Sequence, residues 1–254
     1  MLIDTHCHLD AEEFSGQQSD LLLSAHIVGV ERIVIPSLAS NNFHAVQQLC
    51  TQYPNCFPAY GIHPMSQSNV TDLTTLRDYL CNFKPVAIGE IGLDFFIDNF
   101  DPIQQNALFI EQLKLAREFN LPVLLHSRRA LDPVLKNLRK IKVNGGISHA
   151  FNGSREQAYE LIKLGFKLGF GGTITYPRAT RIRELATSLP LDSIVLETDA
   201  PDIQPAFINR GQPNKPEYLA RIAQTLADLR GISLTTIAQA TTENALRVLP
   251  KLNV

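Results

Sequence analysis

Val86-Ala87-Ile88-Gly89-Glu90 and Pro122-Val123-Leu124-Leu125-His126 are short, apolar runs that each close on an ionisable side chain. Between them, residues 104–119 place Leu108, Gln112, Leu115 and Phe119 at helical spacing. A strand that is apolar throughout, with no polar alternation, is covered on both faces, and a helix between two such strands makes them parallel. The pattern repeats outward in both directions. Strand candidates fall at residues 2–5, 32–37, 57–62, 86–90, 122–126, 146–149, 167–171 and 194–198. Eight strand–helix units in a chain of about 250 residues predict an α/β fold, a closed (β/α)8 TIM barrel. A doubly wound open sheet is the alternative reading of the same alternation.

Several boundaries carry their own chemistry. Ser154-Arg155-Glu156-Gln157 has the form of a capping box opening a helix over residues 156–164. Gly29 and Gly165 follow helical runs, where a left-handed residue is wanted, and Asn120 with Pro122 marks another stop. Two more helices, at about 216–230 and 234–249, close the chain. No low-complexity tract, charge block or linker divides it, so residues 1–254 read as one domain.

Composition narrows the function classes. With 44% apolar residues the chain can build a large core, and a net charge of −2 gives no footprint for coating nucleic acid. An enzyme that grips one strand end through a few local Arg and Lys residues is still allowed. No run approaches the roughly 20 apolar residues of a membrane span, and Met1-Leu2-Ile3-Asp4-Thr5-His6 has no signal-peptide character. Cys7, Cys50, Cys56 and Cys81 form no Cys-x-x-Cys pair, which suits reduced thiols in the cytoplasm. No obligate protein partner is evident, and a monomer is the default expectation.

His6-Cys7-His8 places two histidines on one side of a strand, with Cys7 on the other, so both could hold one metal. Alone the pair reads equally well as a polar strand end. However, His63, His126 and His149 also sit at the ends of predicted strands, and only His26 and His44 fall in helical patterns. The C-terminal rim of a barrel is where catalytic side chains converge. Glu90 and Asp199 end two apolar runs on the same rim, where a carboxylate is costly unless paired or bound to a cation. This many groups exceed the needs of one catalytic metal, and a carboxylate-bridged pair of divalent ions (Zn, Mg or Mn) is the natural solution.

Asp4-Thr5-His6-Cys7-His8, Gly61-Ile62-His63-Pro64, Gly89-Glu90-Ile91-Gly92-Leu93-Asp94, His126-Ser127-Arg128, His149-Ala150-Phe151-Asn152-Gly153 and Glu197-Thr198-Asp199-Ala200-Pro201 resemble, in order, the motifs of the TatD family of metal-dependent deoxyribonucleases within the amidohydrolase superfamily. The resemblance implies metal ligands at His6, His8, Glu90, His126, His149 and Asp199, with His63 close to the substrate. Two departures bear on substrate preference. Ala150 stands where the family often has Cys, and Pro213-Asn214-Lys215-Pro216 stands where it often has Arg-Asn-Glu-Pro.

The expected chemistry follows. One ion takes His6, His8 and Asp199, the other takes His126 and His149, and Glu90 bridges them. Ions roughly 3.5–4 Å apart share a water, lower its pKa from about 15.7 towards 7, and the hydroxide attacks phosphorus. Asp199 is the expected proton acceptor, and His63 a phosphate contact, a proton donor or a histidine held structurally beside Pro64. Glu197 orients a ligand or substrate group. Arg128 and Arg129, Tyr176 and Arg178, and Asn214 are candidates for substrate grip, though either arginine reads equally well as a solvated helix-start charge. Phe95, Phe96 and Phe100 either line the cleft or pack in the core. A nucleic-acid phosphodiesterase is the leading reading, exonuclease-like in action. A hydrolase of another ester, a small phosphoester or an amide (an aminoacyl-tRNA ester, for example) is the alternative, and a non-catalytic binding module comes last.

Overall fold

The computed structural model describes residues 1–66, 70–98 and 101–253. Eight strands follow one another around a single parallel sheet in the order of the chain. They are β1 (Leu2–Asp4), β2 (Val30–Pro36), β3 (Cys56–Tyr60), β4 (Ala87–Asp94), β5 (Val123–Arg128), β6 (Gly146–Ser148), β7 (Phe166–Phe170) and β8 (Ile194–Leu196). β8 returns to β1: Thr5 N–H and Thr5 Oγ1–H donate to Leu196 O, and Asp199 N–H donates to His6 O at 2.8 Å. The eight strands are those expected, in a closed barrel.

Inside the barrel, Ile3, Val34, Ala59, Ala87, Leu124, Ile147 and Val195, from seven strands, form one buried cluster. Ala245, Val248 and Leu249 close its floor; the first two belong to the helix α9 (Leu234–Val248) that ends the barrel. Because alternate residues of a strand face the same way, that inner layer predicts the next one up. Leu124 leads to His126, Ile147 to His149, and Val195 to Glu197 and then Asp199. Apolar packing at the bottom thus aims the polar side chains at the top.

The outer helices are α1 (Gln18–Ile27), α2 (Phe43–Gln52), α3 (Val70–Phe83), α4 (Pro102–Glu118), α5 (Leu131–Lys140), α6 (Arg155–Lys163), α7 (Thr180–Ser188) and α8 (Leu219–Arg230). The Ser154 capping box forms as expected, Gly29 and Gly165 take positive φ, and Asn120 does so at 54°. One boundary differs in a way that matters. β4 does not stop at Glu90; its pairing with β5 shifts register between Ile88 and Ile91 and continues to Asp94. Among the described residues, no helix is long and apolar enough to cross a membrane.

Candidate active site

Glu90 stands at the centre of the mouth and is buried. Its Oε2 lies 3.2 Å from His6 Nε2 and 3.8 Å from His8 Nε2. Its Oε1 lies 2.8 Å from His126 Nδ1, 3.6 Å from His149 Nε2 and 3.6 Å from His63 Nε2. Asp199 Oδ1 closes the ring at 3.5, 3.7 and 3.9 Å from Nε2 of His6, His8 and His149. The six expected ligands therefore converge, and one carboxylate presents a different oxygen to each half of the set. Cys7 points away into the outer core.

This donor set fits divalent cations. Three groups of potential ligand atoms, each within 4.8 Å of one another, overlap here: His6, His8 and Glu90; His6, His149 and Asp199; His63, Glu90 and His126. Among the described residues, the ion-pair partners of Glu90 and Asp199 are histidines only, with no lysine or arginine to neutralise them. Buried carboxylates facing imidazole lone pairs call for a cation.

The side chains among themselves set unequal protonation. Burial pushes His6 down to about 3, helped by the charge on His149. Burial likewise lowers His63 to about 4. Burial opposes charge on His149 too, but the carboxylates of Asp199, Glu197 and Glu90 lift it to about 10. Glu90 resists its own burial because the surrounding histidines hold it well below the usual carboxylate range. Asp199, with less compensation, is raised by burial to about 6.

Supporting contacts fix these groups. Asp199 adopts a left-handed φ of 59°, which Asp tolerates better than most residues, with its N–H tied to His6 O. Asp4 is fully buried and accepts from Thr198 N–H at 2.9 Å and Thr198 Oγ1–H at 2.6 Å, locking β1 to the end of β8. Glu197 accepts Ala150 N–H at 2.5 Å and lies 3.3 Å from His149 Nδ1. His63 Nδ1 accepts Met65 N–H at 3.1 Å, so a neutral ring carries its proton on Nε2, towards Glu90.

Over the cluster opens a cavity of about 1290 Å³, walled in part by Phe96, Arg128, Arg129, Asn152 and Arg181. Arg128 and Arg129 stack on the ring of Phe96 at 3.6 and 4.4 Å from its centroid. Phe95 packs partly buried against the core, and Phe100 lies outside the described residues.

Three candidates for substrate grip lie apart from this cavity wall. Tyr176 and Arg178 are not among the residues that line the cavity. The Tyr176 hydroxyl donates to Gln204 O, and Arg178 stands over the Tyr176 ring. Asn214 is buried, and its amide donates to Thr198 O at 2.7 Å, Asp202 O at 3.0 Å and Ile203 O at 3.3 Å. It pins the loop after β8.

Sequence reasoning also passed over Asp4, Asp94 and Arg181. The burial rule applied to Glu90 would have found Asp4, a carboxylate in an apolar strand, whereas Asp94 lies beyond the expected end of β4. Arg181, in the first turn of α7, donates to Gly153 O and to Asn152 O and Oδ1, contacts from helix to loop that no local signal announces.

The comparisons with known proteins agree with this geometry. A family model described as TatD related DNase matches residues 3–250. The uncharacterized metal-dependent hydrolase YjjV of Escherichia coli strain K12 is 43% identical over 247 residues, 95% of either chain. The crystal structure of that TatD homologue covers 98% of both chains with a TM-score of 0.94 and 41% identity. The human deoxyribonuclease TATDN3 is 34% identical over 266 residues, 99% of this chain and 95% of its own. This chain belongs to the TatD related DNase family.

Proposed function

We propose that this chain is a divalent-metal-dependent hydrolase that cleaves phosphodiester bonds at the ends of DNA or RNA. The observation that carries the reading is the split presentation of Glu90: Oε2 to His6 and His8, Oε1 to His126 and His149, beneath a large cavity with arginines on its wall. Relatives named metal-dependent hydrolase and deoxyribonuclease support it.

His6, His8 and Asp199 would hold one ion, His126 and His149 the other, with Glu90 shared; zinc, magnesium and manganese all suit such ligands. Bound ions would activate water and offset charge on the phosphate oxygens. The residues supply the rest. Asp199 and His126 are the most open of the six, with side chains 13% and 15% exposed, so Asp199 faces the space where water attacks. Its carboxylate is the open oxygen donor of the set, placed to accept a proton from an attacking water. His63, neutral and protonated at Nε2, donates a hydrogen bond to a phosphate oxygen. Arg128 and Arg129, backed by Phe96, engage the flanking phosphate or base. The whole chain acts as one barrel unit, in the cytoplasm, on a nucleic-acid partner.

The test is hydrolysis of an end-labelled single-stranded oligonucleotide by metal-stripped protein with Mg, Mn, Co or Zn restored, beside Glu90→Ala. The expected result is metal-dependent shortening that the variant lacks, with the product ladder reporting action from an end. Equal inertness of both proteins with every metal would move the assignment to small phosphoesters and other esters.

A further inference from the structure

The carboxylate of Asp94 lies beside His126, on the side of the ring away from Glu90. Oδ2 is 3.0 Å from His126 Nε2, while Nδ1 of the same ring faces Glu90 Oε1 at 2.8 Å. Oδ1 accepts the Phe96 N–H at 2.8 Å. The backbone at Asp94 is clamped by Gln105, which accepts Asp94 N–H at 2.9 Å and donates to Asp94 O at 3.0 Å. The carboxylate is fully buried, so neither oxygen has water as a substitute partner. A carboxylate only accepts, and Nε2 beside it must therefore carry the proton. Nδ1 faces the shared Glu90 carboxylate and by the same rule carries a proton here; a cation would take the place of that proton, while the one on Nε2 stays with Asp94.

We propose that Asp94 is the positioning residue that selects the ligand form of His126, holding its proton on Nε2 so that Nδ1 is free for a divalent cation. The proposal rests on the reading of His126 as a ligand. It has a consequence that packing alone does not. In Asp94→Asn the single amide oxygen is claimed by Phe96 N–H, so the NH2 group faces Nε2. An NH2 group donates, which drives the ring proton to Nδ1, where it blocks the cation. Asp94→Ala removes the preference without imposing the wrong one. Asn should therefore damage metal binding more than Ala, although Asn keeps the volume and the Phe96 contact.

The experiment is titration of metal-stripped wild type, Asp94→Asn and Asp94→Ala with Co2+ alone, read by calorimetry and by the visible spectrum of bound cobalt, with melting temperatures beside them. The expected result is about 10–100-fold weaker binding at one site in Asp94→Asn, a smaller loss in Asp94→Ala, and a melting temperature for Asn at or above that for Ala. Wild-type cobalt binding in Asp94→Asn, or weaker binding in Ala than in Asn, would overturn the proposal and reduce Asp94 to a packing role. A wild type that binds no cobalt would overturn it together with the metal reading itself.

Discussion

Gly169 leaves the space that Glu197 occupies: a Cβ on Gly169 would stand 2.1 Å from Glu197 Oε2. Only a residue without a side chain lets that carboxylate cross from the end of β8 to Ala150 N–H and the far side of His149. Gly169→Ala should force Glu197 aside, at about 1–3 kcal/mol for overpacking. It should also weaken metal binding at the His149 half of the site by about 10–100-fold. Urea unfolding and cobalt titration measure the two effects. Wild-type behaviour in both would show that the close approach carries no constraint.

His63 makes a sharper prediction because its Nδ1 is occupied by Met65 N–H. If it works as a neutral donor, His63→Ala should lower kcat by about 10²–10³, as for loss of one preorganised donor. His63→Gln, which can donate but cannot shuttle a proton, should recover part of that loss. Metal content should match wild type in both. A glutamine variant as inert as alanine would point to proton transfer.

Metal uptake should release protons. His149 is raised to about 10, so in stripped protein it holds its proton throughout the neutral range, and a cation must displace it. His6, lowered to about 3, is already neutral and contributes none. Asp199, near 6, adds a fraction that grows as pH falls from 7 to 6. Affinity should thus rise with pH below 10. Because the Asp94 and Glu90 carboxylates, against burial, also raise His126, calorimetry at pH 7 in buffers of different ionisation enthalpy should return at least one proton released per ion bound at the His126–His149 half. Zero release would contradict the charged state of His149.

Asn214→Ala separates loop support from substrate contact. Removing the amide leaves Thr198 O, Asp202 O and Ile203 O without that donor, which should cost about 1–3 kcal/mol. Because Thr198 precedes Asp199, kcat should fall while KM for an oligonucleotide stays near wild type. A raised KM with kcat intact would return Asn214 to the substrate wall.

The sequence by itself determined the barrel and the direction of half the converging set. Once Leu124, Ile147 and Val195 are committed to the inner core, strand periodicity turns His126, His149 and Asp199 into the mouth. His6, His8 and Glu90, by contrast, are out of phase with the inward Ile3 and Ala87 and are turned in by the path of the chain beyond those residues. What period does not set is the path of the chain beyond a strand end. Tyr176, Arg178 and Asn214 carried the right chemistry for substrate, yet loop conformation turned the tyrosine and asparagine onto backbone carbonyls and left the arginine outside the wall. The continuation of β4 past Glu90 needed a register shift that no residue type announces, and that shift delivers Asp94 to His126. The pairings of Glu197 with Ala150 and of Arg181 with Asn152 join residues tens of positions apart. Only the side-by-side packing of β6, β7 and β8 with their loops brings them within hydrogen-bonding range, so tertiary structure alone decided how the converging side chains are held.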